Sequence, residues 1–376
     1  MISNLVVFRV DASQSIGTGH VMRCITIAQY LKKNSVNSIF ICRRFSGNLI
    51  HFIEEQGFKV CSLEDNTRNI PASASNYDQW LGDSWQNDAN DTLKILDELL
   101  VSWLIIDHYA VDENWEGYVN THKLFKICVI DDLADRRHKC DLILDQTYLR
   151  QADNYSQLVP EYCQILAGSS YALLREEFVI KRNICSPHKL DRFNSKDKLH
   201  VLINMGGIDQ NNTLGDIVDA LAKSEISQKF DYTIVVGKNY PHQYELKDKL
   251  NRTNLNYDLI VNATNMSDLM YDCDFAIGAA GSTTWERCCL GMPSILLCIA
   301  ENQRDIMSAL MKNEIALVIE SRDQIENKLE YYLKLLIKNH NALLKKMSIK
   351  ASSIVDGKGV DRLGQYIFDL SNEELA

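Results

Sequence analysis

Short, uninterrupted apolar runs alternate with helical periodicity along almost the whole chain, and this alternation limits the fold more than any other feature. In the first half, the runs at 5–10, 38–42, 103–106, 125–130 and 142–144 read as strands, with 21–33 and 93–100 as helices between them. Ile25, Ala28 and Leu31 give the first of those helices one apolar face. Strands without polar alternation are buried on both faces, so the βαβ order predicts parallel sheets covered by helices. A polar stretch at 182–198, containing Pro187, reads as a linker. A second series follows it, with strands at 200–204, 232–236, 259–261, 275–277 and 294–297. A chain of 376 residues can bury two cores of this kind. The expected fold is therefore α/β, with two doubly wound Rossmann-like domains at 1–185 and 199–376. The stretch 359–375 reads as a closing helix. The polar stretch 66–90, which holds Pro71, Trp80 and Trp85, reads as a long surface connection or insertion.

Composition narrows the function. A hydrophobic content of 46% and a charged content of 24% are those of a soluble globular protein. The formal net charge of −10 argues against nucleic acid as a partner. No apolar run reaches the roughly 18 residues of a membrane span, and the start lacks a signal-peptide pattern. A cytoplasmic protein with no membrane attachment is expected. The eleven cysteines include no C-x-x-C, and the nine histidines no H-x-H or H-E-x-x-H. Reduced thiols are expected, with neither a metal nor another cofactor.

The first strand runs into Asp11-Ala12-Ser13-Gln14-Ser15-Ile16-Gly17-Thr18-Gly19-His20-Val21-Met22-Arg23. A strand, a turn at Gly17 and Gly19 and an immediate helix present backbone N–H groups and a positive helix end, which suit a phosphate or a developing oxyanion. His20 feels the same field, which disfavours the imidazolium, and it is the candidate base. Polar residues also follow the other strands: Asp107, His108 and Tyr109 after the third, and Asp131 and Asp132 after the fourth. These carboxyl edges are where open α/β sheets bind ligands. Asp11, Gly17, Gly19, Arg23, Asp107, His108 and Tyr109 are therefore candidate substrate contacts, with Asp11 a candidate orienter of His20. Each taken alone also serves as a cap or a loop hydrogen-bonder.

In the second half, strand 275–277 leads into Gly278-Ala279-Ala280-Gly281-Ser282-Thr283-Thr284 and a helix. Gly281, Ser282 and Thr283 can approach a diphosphate. Glu286, in the first helical turn, is either a bidentate acceptor for a ribose diol or a partner of its own helix dipole. Gly206 and Gly207, after strand 200–204, form a second such loop or an ordinary turn. Asn265 and Met266 open a further helix. Asn302 and Gln303 follow the last strand, where amides bind sugar hydroxyls or phosphate, or cap a helix.

These stretches join Ile105-Ile106-Asp107-His108-Tyr109, Val129-Ile130-Asp131-Asp132, Tyr171-Ala172-Leu173-Leu174-Arg175-Glu176-Glu177-Phe178 and Asn204-Met205-Gly206-Gly207-Ile208-Asp209 in a fixed order. Together they resemble the UDP-2,4-diacetamido-2,4,6-trideoxy-β-L-altropyranose hydrolase family of pseudaminic acid synthesis, over residues 5–303. The resemblance implies a GT-B arrangement with the ligand in the cleft between two domains. It also implies a UDP-sugar partner, hydrolysis at the anomeric carbon, and His20 as the catalytic residue. Recognition of uracil by the loop at Asn265 and Met266 is implied by the family alone. In GT-B proteins the closing helix often crosses back to the first domain. The loop around Gly281 is similar to the UDP site of the N-acetylglucosaminyltransferase of peptidoglycan synthesis. There a glutamate five residues before a Gly-x-Pro turn holds the ribose, and Glu286 keeps that spacing to Gly291. For Tyr171 and Arg175 the resemblance names a motif but no chemistry, and a structural role at the domain junction stays open.

Three other readings share parts of this pattern. A GT-B glycosyltransferase would pass the sugar to an acceptor other than water. A UDP-sugar 2-epimerase would work through deprotonation at C2. A noncatalytic nucleotide-binding module would leave His20 without a task. Nothing in the sequence specifies the oligomeric state.

Overall fold

The computed structural model describes residues 5–67, 77–121, 125–185, 190, 193 and 198–372. Most of the linker read at 182–198, and 68–76 of the polar stretch, lie outside them. The chain divides into two compact units, Met1–Leu173 with Lys358–Ala376, and Leu174–Gly357.

The first unit opens with β1 (Leu5–Val10), α1 (Gly19–Lys33), β2 (Asn37–Arg43), α2 (Ile50–Glu55) and β3 (Lys59–Leu63). It continues with α3 (Trp85–Leu96), β4 (Trp103–Asp107), α4 (Glu113–Asn120), β5 (Lys126–Ile130), β6 (Leu142–Asp145) and β7 (Gln164–Ala167). The sheet order is β3-β2-β1-β4-β5-β6-β7, and every pair is parallel. Successive residues of β1 serve opposite faces. Val6, Phe8 and Val10 pack with Val21, Ile25 and Ala28 of α1. Val7 packs on the other side with Ala89 and Leu96 of α3 and Trp115 and Val119 of α4.

The second unit contains α5 (Glu176–Cys185), β8 (Leu199–Asn204), α6 (Thr213–Lys223), β9 (Phe230–Val236), α7 (Gln243–Asn251) and β10 (Asn256–Val261). Then come α8 (Met266–Asp272), β11 (Phe275–Ala279), α9 (Thr283–Cys289), β12 (Ser294–Leu297), α10 (Arg304–Lys312), β13 (Ala316–Ile319) and α11 (Ile325–Ile354). Its sheet, β10-β9-β8-β11-β12-β13, is also wholly parallel. Val201 and Ile203 of β8 share a core with Leu214, Ile217 and Leu221 of α6 and Leu329 and Leu333 of α11.

The doubly wound α/β class is thus present twice, but the domain bounds 1–185 and 199–376 need correction at both ends. Helix α5 falls in the second unit, because Arg182 donates to the Cys289 carbonyl (2.6 Å) and to the Ser352 carbonyl (2.9 Å). The closing helix α12 (Gly359–Asn372) falls in the first unit, where the GT-B resemblance puts it. Its Val360, Leu363 and Ile367 complete the core around α1. The stretch 66–90 is more than a surface connection. Its Asp88 is fully buried and holds both Arg9 and Arg43 at 2.6 Å.

Candidate active site

In the first sheet β1 and β4 are neighbours, and the strand order runs outward from them in both directions. A crevice opens outside the carboxyl ends of strands at such a switch point. Beyond β1, Ser13 closes a tight loop. Its carbonyl accepts from the Gly17 amide (2.9 Å), and its hydroxyl from the Ser15 and Ile16 amides (3.2 and 3.0 Å). Gly17 has φ +82°, and a Cβ there would meet nothing within 4 Å, so the backbone, not the space, demands glycine.

The loop starts α1 so that His20 and Arg23, three residues apart, share a face. Both reach Asp107, the last residue of β4. His20 Nδ1 lies 2.6 Å from Asp107 Oδ1. Arg23 donates through Nε to Oδ2 (2.5 Å) and through Nη2 to Oδ1 (2.6 Å). Its Nη1 reaches Asp132 Oδ2 (2.6 Å), which also accepts from the Tyr109 hydroxyl (2.9 Å). Arg150 Nη2 fixes the Asp132 carbonyl at 2.9 Å.

The Asp107 side chain is fully buried. Burial opposes its charge, but Arg23 and His20 outweigh that and hold the carboxyl well below the usual carboxylate range. An ionised Asp107 can only accept, so Nδ1 carries the imidazole proton. Nε2 makes no hydrogen bond with the described residues, and 11% of the His20 side chain faces solvent. The ring therefore offers a proton acceptor at its open edge.

Aromatic rings pack around the imidazole. Tyr109 meets the imidazole edge-on with centroids 4.7 Å apart, and Trp80 lies 6.3 Å away. Trp80 stacks on Tyr109 at 5.8 Å, and Tyr77 packs edge-on against both, at 4.9 and 5.4 Å.

The structure corrects several expected contacts. Asp11 does not orient His20. It accepts from Arg9 Nη1 (2.7 Å) and the Arg43 amide (2.5 Å), and its Oδ2 lies 3.4 Å from His108 Nε2. Asp11, Asp107 and His108 are buried, so they support the site rather than line it. Arg23 is also buried and bound to two carboxylates, so it too supports the site, and Tyr109 is buried with its ring against His20.

In the second sheet the switch point lies between β8 and β11. Gly206 and Gly207 follow β8, but the next helix does not offer its N-terminus. Asp209 accepts from the Thr213 and Leu214 amides (2.9 and 2.8 Å), and Asn212 from the Gly215 amide (3.2 Å). Gly278, in β11, lies against β8, and a Cβ there would come within 2.6 Å of the Asn204 carbonyl and collide with Arg287. Beyond β11, a Cβ on Gly281 would meet nothing within 4 Å, and neither Ser282 nor any other side chain caps α9.

Glu286, in the first turn of α9, receives Arg175 Nη2 at 3.0 Å and Nε at 3.3 Å, both on Oε1. Burial pushes its carboxyl upward, and Arg175 opposes the shift. Asn265 precedes α8 without a side-chain capping bond, and Met266 begins that helix. Gln303 Oε1 accepts from the Ile299 amide at 3.0 Å, closing its own loop. The Asn302 side chain lies outside the described residues. Among the described residues no group of three or more His, Cys, Asp and Glu side chains is placed to hold a metal ion, and no helix is long and apolar enough to cross a membrane.

Sequence reasoning missed Tyr77 and Trp80, which lie in a stretch without periodicity, and left Arg175 without a chemical role. The pairing of His20 with Asp107 carried no local signal, because 87 positions separate them.

Residues 189–359 match the glycosyltransferase family 28 C-terminal domain. The chain is 28% identical over 307 residues to the UDP-2,4-diacetamido-2,4,6-trideoxy-β-L-altropyranose hydrolase of Campylobacter jejuni, covering 82% of this chain and 96% of that protein. It is 26% identical over 308 residues, 80% of this chain, to the uncharacterized protein MJ1062 of Methanocaldococcus jannaschii, and spans 57% of that protein's length. Among solved structures it is similar in fold to MurG of Acinetobacter baumannii, with a TM-score of 0.65 at 13% identity, covering 97% of this chain and 99% of that one. With two Rossmann-like domains of the GT-B kind, the chain is similar over most of its length to the UDP-2,4-diacetamido-2,4,6-trideoxy-β-L-altropyranose hydrolases.

Proposed function

We propose that this chain hydrolyses UDP-2,4-diacetamido-2,4,6-trideoxy-β-L-altropyranose to UDP and the free sugar, with His20 as the general base. The observation that carries the reading is the Asp107–His20 pair at 2.6 Å, which fixes the proton on Nδ1 and leaves Nε2 free at the open edge. A positioned base of this kind takes a proton from water as the oxygen attacks. The water oxygen bonds to the anomeric carbon, the bond from that carbon to the β-phosphate oxygen breaks, and the proton passes to Nε2. UDP leaves with the electron pair and needs no protonation to do so. Gly281, Ser282 and Thr283 supply amides and hydroxyls for the charge that grows on the diphosphate. Glu286 takes the ribose hydroxyls, and the loop at Asn265 and Met266 takes the base. The Tyr77–Trp80–Tyr109 cluster offers an apolar surface for the C6 methyl and the acetamido methyls.

Support for a second reading, a GT-B glycosyltransferase, comes from the match of 189–359 to a glycosyltransferase domain. Purified protein incubated with a panel of UDP-sugars and no acceptor decides between them. Stoichiometric UDP and free sugar support hydrolysis. UDP release only after an acceptor is added supports transfer. Epimer formation without net UDP removes both.

In ¹⁸O-labelled water the label is expected in the released sugar and not in UDP. In-line attack on the anomeric carbon also inverts it, so proton NMR taken before mutarotation should show the inverted anomer. Label in the β-phosphate would instead mean attack at phosphorus. Activity is expected to survive EDTA, since loop amides and hydroxyls answer the diphosphate charge. Loss on chelation with recovery on adding a divalent cation would contradict this.

A further inference from the structure

The motif Tyr171–Phe178 has no part in the chemistry above, yet it places one charge among three elements of the second unit. Arg175, just before α5, directs Nε and Nη2 to Glu286 Oε1 on α9 and Nη1 to Glu177 Oε1 at 2.5 Å. Glu177 Oε2 in turn accepts from the Ser267 amide at 3.4 Å, in the first turn of α8. The guanidinium lies over the Phe178 ring, whose centroid is 4.9 Å from Cζ. One side chain therefore connects the helix of Glu286 to the helix that Asn265 and Met266 open.

The geometry at Glu286 is asymmetric. Both Arg175 donors fall on Oε1, and no described group bonds Oε2. A carboxylate oxygen has two acceptor positions, so a ligand is left Oε2, which can take both hydroxyls of a cis diol. Only 13% of the Glu286 side chain is exposed. Without a cation beside it, a carboxylate this buried loses charge or swings to water.

We propose that Arg175 is a positioning residue for nucleotide recognition, holding Glu286 by Oε1 so that Oε2 is presented to the ribose diol, with Glu177 tying the start of α8 to the same charge. This rests on the reading of Glu286 as the ribose acceptor.

Calorimetric titration of wild type, Arg175→Gln, Arg175→Lys, Glu286→Gln and the Arg175→Gln/Glu286→Gln double variant with UDP and with 2′,3′-dideoxyuridine diphosphate tests it. Arg175→Gln is expected to weaken UDP about 10-fold, the equivalent of one charge-assisted hydrogen bond. It should weaken the dideoxy nucleotide less than about twofold, and add less than about twofold in the Glu286→Gln background. Arg175→Lys should recover part of the loss, and in turnover KM should rise with kcat within about twofold. Each variant is judged by its own ratio between the two nucleotides, which does not depend on the fraction of protein folded. Equal losses for both nucleotides would place Arg175 on the diphosphate and overturn the proposal, as would unchanged affinity for UDP. If wild type itself binds the two nucleotides equally, the ribose role of Glu286 falls, and this inference with it.

Discussion

His20→Ala is expected to lower turnover of the UDP-sugar by about 100-fold or more, the contribution of a well-placed general base. Affinity for UDP should stay within about twofold, because every group proposed to hold the nucleotide lies in 174–357 and His20 does not. The fold should also tolerate the change. The imidazole makes one bond to Asp107, and Arg23 keeps two bonds to that carboxylate without it. Single-turnover measurements with saturating substrate separate chemistry from product release. A variant within about threefold of wild type under those conditions would remove His20 from the mechanism.

Asp107→Asn should cost more, because it removes two functions at once. An amide no longer fixes the proton on Nδ1, and loss of the carboxylate partner of a catalytic histidine reduces turnover by about 1000-fold or more. Arg23 would also lose two charge-assisted bonds while remaining buried. Stripping one partner from a buried pair costs about 3 kcal/mol, so thermal stability should fall where His20→Ala leaves it nearly unchanged. The pH dependence has a defined sign. The Asp107 carboxyl is held below its ordinary value in the folded chain, so the unfolded chain binds its proton more readily. Its contribution to stability is complete above the unfolded-chain value of about 4 and is lost as pH falls below that toward the depressed native value. As pH falls from 7 to 3, the gap in melting temperature between wild type and Asp107→Asn should begin to narrow at the acid end. Parallel curves would mean the carboxylate carries no net stabilising charge.

What was legible in the sequence follows burial. β1, β4 and β8 are covered on both faces, and their continuous apolar runs mark them without context. β3 and β7 lie at the ends of their sheet, are short and partly exposed, and went unread, as did β13 at the end of the other. At the site, the loop bearing His20 was legible because a strand, a glycine turn and a helix start are local features. The sequence marks Asp107 as a sugar contact when it is the buried partner of His20, since nothing within a few residues of Asp107 encodes a bond from the end of β4 to the start of α1. Asp88 was hidden for a similar reason. It looks like one polar residue among many, and only the folded chain shows Arg9 and Arg43 converging on it.

The return of α12 to the first unit has a consequence for how the chain is made. Val360, Leu363 and Ile367 pack with residues of β1 and α1, so of the two units the one that is started earlier is finished later. On a ribosome, domains ordinarily fold as they emerge, the N-terminal one first. Here the residues of 174–357 are all available before the first unit has its final helix. The inserted unit can close on itself during synthesis, while residues 5–173 wait with an apolar face uncovered. A nonsense or frameshift lesion just before α12, beyond every residue of either site, would therefore act on the unit that holds β1 and α1.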